Sequence, residues 1–300
     1  MIVAPPLTLK QALAMTVALL AVLACPVAAA EQIGASRLAL AVVADSRNHP
    51  VVDIGPDDFV IQEANQTREI LSVRIADYPV AVLLDNSVQA RSDFSQIRKS
   101  VERLVNRLGQ RPIIVGTLGG VPKLISELDE STESSSDHRE LFERLDALEV
   151  TGATDNQTIR GAALAAEALR QTGSLFSAIV IVTTNPLNPN AGAGEDLVGP
   201  IVSSGAIVHV ITNRGGLGAT DAGGLRSRAI LRSIVDQTHG EFTPIYSAAS
   251  YQAAIDHLAE RLANELIVEY MVPVGSKAAD VKIGVRLPGT HVRGLGVAPR

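Results

Sequence analysis

The chain has 300 residues, 46% hydrophobic and 19% charged, which is enough apolar content for a buried core and too much for a disordered chain. Its 32 acidic and 26 basic side chains give a formal net charge of −6. An acidic chain with no basic stripe argues against partners such as nucleic acid or anionic lipid. Aromatic residues make up only 3% and Trp is absent, so the core is expected to be aliphatic.

Lys10 precedes an apolar run over residues 12–24, and Ala28-Ala29-Ala30 stand before Glu31. A short apolar stretch followed by small residues is what signal peptidase accepts. Residues 1–30 are therefore expected to be an export signal, leaving a periplasmic or secreted chain with no transmembrane domain. Two alternatives stay open. The run over 12–30 is nearly long enough to act as an uncleaved anchor. Cys25, after Val22-Leu23-Ala24, also resembles a bacterial lipobox cysteine that would carry a lipid anchor. Cys25 is the only cysteine, so cleavage after Ala30 leaves no disulfide, thiol nucleophile or thiolate metal site.

Residues 31–78 read as an N-terminal β segment. Leu38-Ala39-Leu40-Ala41-Val42-Val43, Val51-Val52, Phe59-Val60-Ile61 and Ile70-Leu71-Ser72-Val73-Arg74-Ile75 are short strand-like runs separated by turn residues.

Residues 79–263 have a different pattern. Val80-Ala81-Val82-Leu83-Leu84 is continuously apolar, as expected of a strand buried on both faces. Phe94, Ile97, Val101, Leu104, Val105 and Leu108 recur at helical spacing. Strands follow at 113–118, 179–182, 207–211 and 241–245, and Pro122-Lys123-Leu124-Ile125 reads as a hairpin partner at the sheet edge. Helices are expected through Leu141, Leu145 and Leu148, over 158–171, through Ile230, Ile234 and Val235, and over 251–266. The acidic stretch 129–137, residues 186–194 and the glycine-rich 215–224 read as loops. Apolar strands alternating with amphipathic helices predict an α/β fold: a doubly wound, mostly parallel, Rossmann-like sheet with helices on both faces. Residues 264–300 return to strands. They are expected to pack with 31–78 as a small antiparallel β subdomain, since domain ends often lie close together.

Open α/β sheets place ligands at the carboxyl ends of their strands. Those ends carry Asp85-Asn86-Ser87-Val88-Gln89, Thr183-Thr184-Asn185 and Thr212-Asn213-Arg214-Gly215, and the loop Gly152-Ala153-Thr154 reaches the same rim. The order and spacing of these segments resemble the von Willebrand factor type A family. The bacterial exported branch, with a β segment before the domain and a strand pair after it, is similar throughout. Pro50-Val51-Val52, Asp58-Phe59-Val60-Ile61, Gln237-Thr238-His239-Gly240-Glu241-Phe242, and the tail from Glu265-Leu266-Ile267-Val268-Glu269-Tyr270 to Arg293 carry the rest of the likeness.

The resemblance implies a metal-ion-dependent adhesion site built on Asp-x-Ser-x-Ser, a distant Thr and a distant Asp. Asp85, Ser87 and Thr154 match as metal ligands. Gln89 replaces the second Ser and Thr184 the distant Asp, so one anionic ligand is lost and the site is degenerate. A weak Mg²⁺ or Mn²⁺ ion is what such a set would hold; no other cofactor is expected. The alternative is a network in which Asp85 hydrogen-bonds Ser87, Thr154 and nearby backbone.

No Gly-x-Ser-x-Gly elbow, His-Glu-x-x-His pair or phosphate-binding loop occurs. His209 reads as a satisfied core residue and His239 as part of a turn. The expected function is non-catalytic: an exported protein-binding or scaffolding module whose partner meets a rim of Asp85, Ser87, Gln89, Thr154, Thr184, Asn185 and Gly216. Two alternatives are a small-ligand binder or enzyme at the same crevice, and a structural envelope protein assembling through its β subdomain.

Overall fold

A computed structural model describes residues 33–51, 53–126, 139–154, 157–184, 194–213, 222–277 and 280–298. The expected export signal, Asn185, Gly216 and the acidic stretch 129–137 lie outside the described residues. Strands run β1 (Ile33–Asp45), β2 (Phe59–Glu63), β3 (Gln66–Arg68), β4 (Ile70–Ile75), β5 (Val80–Leu84), β6 (Ile113–Thr117) and β7 (Lys123–Leu124). They continue with β8 (Ser177–Thr183), β9 (Ala206–Asn213), β10 (Phe242–Ile245), β11 (Leu266–Pro273), β12 (Val281–Val285) and β13 (Thr290–Ala298). The helices are α1 (Phe94–Leu108), α2 (Arg139–Asp146), α3 (Thr158–Gln171), α4 (Val198–Ser203), α5 (Ala222–Gln237) and α6 (Ser250–Ala263).

The central sheet has the order β10-β9-β8-β5-β6-β7. All its pairs are parallel except the short edge strand β7, which runs antiparallel to β6. Alternation along each strand divides the apolar run between two layers. Val80, Val82, Leu84, Val180 and Val182 pack under α1 and α6 with Ile97, Val101, Leu104, Tyr251, Ile255 and Leu262. Ala81, Leu83, Ile179 and Ile181 pack under α3, α4 and α5 with Ala165, Leu169, Ile201, Leu231 and Ile234. Each large aliphatic side chain buried this way contributes about 1.5–3 kcal/mol. A strand covered on both faces needs apolar residues at every position, which is the pattern of 80–84.

The flanking segments form two antiparallel sheets, β13-β1-β11-β4 and β12-β2-β3. In β1 the leucines and alanines separate by face. Leu38 and Leu40 join the core under α1 and α6, while Ala39 and Val43 face Phe59, Ile61, Val268 and Tyr270. The four-stranded sheet therefore lies between the α/β layer and the three-stranded sheet, so the predicted fold class holds on both counts.

Several local expectations change. Val51 is in no strand; next to it, Pro50 makes only an isolated bridge to Ala44. Leu266 opens β11 and does not belong to the α6 stripe, because the helix ends at Ala263. Ala222, Gly223 and Gly224 begin α5 and are not part of the preceding loop. The short helix α4, interrupted in sequence by Gly199 and Pro200, and the three-residue β3 had no periodicity to reveal them.

Candidate functional site

Register brings the strand ends level. Leu84 pairs with Thr117 and with Val182 on its two sides, Thr183 with Thr212, and Asn213 with Ile245. The residues that follow these ends form one edge.

Asp85, the first residue past β5, is fully buried. Its Oδ1 accepts the Ser87 N–H at 3.0 Å. Its Oδ2 accepts the Thr183 hydroxyl at 2.9 Å, the Thr184 hydroxyl at 3.0 Å and the Thr184 N–H at 3.3 Å. Hydrogen bonds to an ionised acceptor are the stronger kind, so this carboxylate holds the β5 and β8 tips together. Ser87 is also fully buried, and its Oγ has no hydrogen-bond partner among the described residues.

The loop at 151–154 is fastened to the same turn. Thr151 N–H donates to the Asn86 carbonyl at 2.8 Å, and Val88 N–H donates to the Ala153 carbonyl at 2.9 Å. The Gln89 side-chain amide donates to the Thr154 carbonyl. Thr154 and Gln89 are both exposed. Asn86 Oδ1 accepts the Gly119 N–H at 2.9 Å, which adds the end of β6. A Cβ at Gly119 would sit 2.7 Å from Asn86 Oδ1 and 2.9 Å from Ser87 N, so only glycine lets these turns meet. Asp85, Ser87, Gln89, Thr154 and Thr184 therefore share one edge; Asn185 and Gly216 lie outside the described residues.

One strand-end residue does more than line the rim, and two further members of this cluster escape the sequence reading. Thr183, nominally the last strand residue, donates directly to Asp85. Asp93, 8% exposed at the N-terminal end of α1, accepts Asn213 Nδ2 at 2.8 Å and the Ser92 hydroxyl at 2.9 Å. A carboxylate is favoured there because the helix dipole presents positive charge. Tyr251 of α6 donates its hydroxyl to the Thr183 carbonyl at 3.2 Å. Burial, with Asp93 and Asp85 nearby, pushes that phenol well above its ordinary range, so it remains a donor. Two exposed apolar side chains flank the cluster: Tyr246 immediately after β10, at 70% exposure, and Val121 between β6 and β7, at 84%.

His209 is buried, as expected, but it is not satisfied: neither ring nitrogen has a partner among the described residues. Burial and the charges of Arg261 and Arg293 push its pKa well down, so it is neutral. His239 has a φ of 59° in the turn before β10.

No protein-family model and no curated protein matches this sequence. Solved structures do. A von Willebrand factor type A protein from Catenulispora acidiphila superposes over 90% of this chain and 74% of its own, with 11% identity and a TM-score of 0.52. Proximal thread matrix protein 1 from the mussel byssus gives 14% identity and a TM-score of 0.48 over 63% of this chain. This chain spans about half, 49%, of that matrix protein. An aerotolerance-related membrane protein from Bacteroides fragilis gives 19% identity and a TM-score of 0.44, covering 61% of this chain and 98% of its own. The fold is that of von Willebrand factor type A proteins. Among the described residues, no helix is long and apolar enough to cross a membrane.

Proposed function

We propose that this chain, with its von Willebrand factor type A fold, is an exported, non-catalytic binding module that engages a protein partner through the rim around Asp85. In this reading the Asp85 cluster is a hydrogen-bonded brace and not a cation centre. The observation that carries it is the saturation of Asp85. Four donors from Ser87, Thr183 and Thr184 occupy its two oxygens. A hard divalent cation needs carboxylate oxygens whose lone pairs are free to coordinate it. Here Thr184 donates to Asp85 from the position where the resemblance calls for a second carboxylate, and Gln89 uses its amide on the Thr154 carbonyl. The residues present do not fit the ion that the fold family implies.

The non-catalytic part rests on the same cluster. A serine nucleophile needs a base to take its proton, and the described residues bonded at this rim include no histidine. What the rim offers outward is a polar floor with Gln89 and Thr154 exposed, flanked by Tyr246 and Val121. Exposed aromatics on a rigid scaffold are typical anchors of protein interfaces.

The test is capture of partners from envelope extract by the immobilised chain. Gln89→Arg and Tyr246→Ala should abolish capture, while Arg170→Ala on the outer face of α3 leaves it intact. Equal recovery with all three variants would remove the rim from the interface. Calorimetric titration with Mg²⁺ and Mn²⁺ separates the second half of the proposal, since saturable heat that disappears in Asp85→Ala would restore a cation site.

A further inference from the structure

The four-stranded sheet ends on one side in β4, and β4 has an open edge. Against β11, Arg74 pairs with Ile267 and Ser72 with Glu269, and the Ala76 N–H donates to the Glu265 carbonyl at 2.7 Å. Bonded and non-bonded pairs alternate along an antiparallel ladder. Residues 72, 74 and 76 therefore turn their backbone groups to β11. The N–H groups of Val73 and Ile75 and the carbonyls of Leu71, Val73 and Ile75 turn the other way, where no backbone partner meets them among the described residues. The turn at 56–58 comes near β4, but its backbone bonds go to Gly55 and Arg286.

The other sheet edges are blunted in ways that proteins use against pairing with other chains. Pro244 interrupts the donors of β10, β7 has two residues and β3 has three. β12 and β13 cover each other, with Ile283 lying against Gly294. β4 has six residues with no proline or glycine, and its single charge is Arg74. Two apolar side chains stand out along it, Leu71 at 42% exposure and Ile75 at 60%. They lie on the same face as Val73, which packs into the core between the antiparallel sheets.

We propose that β4 is a dimerisation edge, and that its occupant is β4 of a second copy of this chain, running antiparallel about a two-fold axis at Val73. In this register each Val73 N–H donates to the Val73 carbonyl of the second copy, and each Ile75 N–H donates to the Leu71 carbonyl. Leu71 of each copy then lies beside Ile75 of the other, so one pairing covers both exposed apolar side chains. On the opposite face, Arg74 of the second copy stands beside Ser72, whose hydroxyl donates to Glu269 at 3.1 Å. A guanidinium now paired with exposed Asp77 thus gains a second carboxylate. Other registers fit less well. Centring on Ile75 sets Leu71 against Pro79, which has no N–H, and centring on Leu71 runs the pairing into the irregularity beside Ile70. The product is a closed, isologous dimer with a continuous eight-stranded sheet, four strands from each copy. One strand edge buries less than a standard interface, so the dimer is of the weak, reversible kind. β4 leads into the start of β5 and the rim follows the end of β5, so both rims stay open.

Sedimentation velocity of the chain as isolated from cells, from micromolar to millimolar concentration, tests this. A reversible monomer–dimer equilibrium is expected. Leu71→Lys with Ile75→Lys sets like charges beside each other and should weaken the dimer about tenfold or more. Leu71→Lys with Ile75→Glu sets opposite charges beside each other and should keep it. Both residues are exposed in the monomer, so folding is spared. Amide exchange needs no variant: Val73 and Ile75 should gain protection as concentration rises. A chain monomeric throughout would overturn the proposal, as would equal dimerisation of the two double variants. Protection of Val73 and Ile75 that appears only with added envelope extract would overturn it too, by assigning the edge to a different chain.

Discussion

The Tyr251 hydroxyl donates to the carbonyl of Thr183, the residue whose own hydroxyl donates to Asp85. The first turn of α6 is thereby tied through one strand end to the centre of the rim. Tyr251→Phe leaves the ring in its buried place and removes only the bond, so it should cost about 1–2 kcal/mol. Urea denaturation measures this, and faster amide exchange at Thr184 should accompany it. A variant as stable as the parent would mean that the tie carries no energy.

Asp85→Asn is nearly isosteric but replaces an acceptor-only group with one that also donates. The new amide would point a donor at Ser87 N–H or at the two threonines. A loss of about 2–4 kcal/mol is expected, because buried polar groups are left unpaired and a charged acceptor is gone. Thermal unfolding of the parent with EDTA and with millimolar Mg²⁺ should give the same midpoint. A midpoint raised by Mg²⁺ in the parent and not in Asp85→Asn would contradict the brace reading.

Gly240 lies against the backbone of β9. A Cβ there would sit 1.8 Å from the Val208 carbonyl oxygen, with no flexible side chain to give way. Gly240→Ala must push β10 off β9 and should destabilise by at least about 1–3 kcal/mol. Gly173→Ala makes a useful comparison: it has open space around its Cβ but a φ of 67°, so it should cost only about 1 kcal/mol of backbone strain. Guanidinium denaturation of the two variants should keep this ranking.

Within the flanking sheets, Arg37 and Glu63 form a buried ion pair, and Arg37 also donates to the Ser276 carbonyl at 2.7 Å. Arg68 Nε stands 3.6 Å from the same carboxylate, so removing Glu63 strands the buried charge of Arg37 and takes a partner from Arg68. Glu63→Ala should cost about 3–5 kcal/mol, whereas a double apolar replacement, Arg37→Met with Glu63→Leu, should recover most of it. A double variant no more stable than Glu63→Ala would assign the pair a role beyond charge neutralisation.

What sequence could show follows from where the determinants lie. Strands at 80–84 and 179–182 were legible because two-sided burial writes itself as an unbroken apolar run. The helix over 158–171 was legible to the residue because its alanines and Leu169 repeat at helical spacing. Leu266 was misplaced because an apolar residue one turn beyond Leu262 fits a helix stripe as well as a strand, and that stripe outweighed the stop signal of Asn264, which ends the helix at φ −111°. At the rim, sequence pointed to Asp85, Ser87, Gln89, Thr154 and Thr184 through their strand-end positions. It placed Asn213 at the same rim but did not point to Asp93; the two are 120 residues apart and meet only because α1 begins where β9 ends. The unsatisfied state of His209 was equally hidden, since an apolar strand context signals burial and says nothing about partners.

Strand β1 sits between β13 and β11, pairing Leu38 with Ala298 on one side and Glu269 on the other. During synthesis β1 emerges early, and both of its neighbours emerge only after the whole α/β unit has been made. Until then, apart from its last residues, which bond the turn at 48–51, its backbone donors and acceptors on both edges lack their native partners, which leaves it open to mispairing and to chaperone capture. Closing so distant a pairing also delays the last folding step, so a chain truncated before β11 should present β1 as an adhesive, unpaired strand.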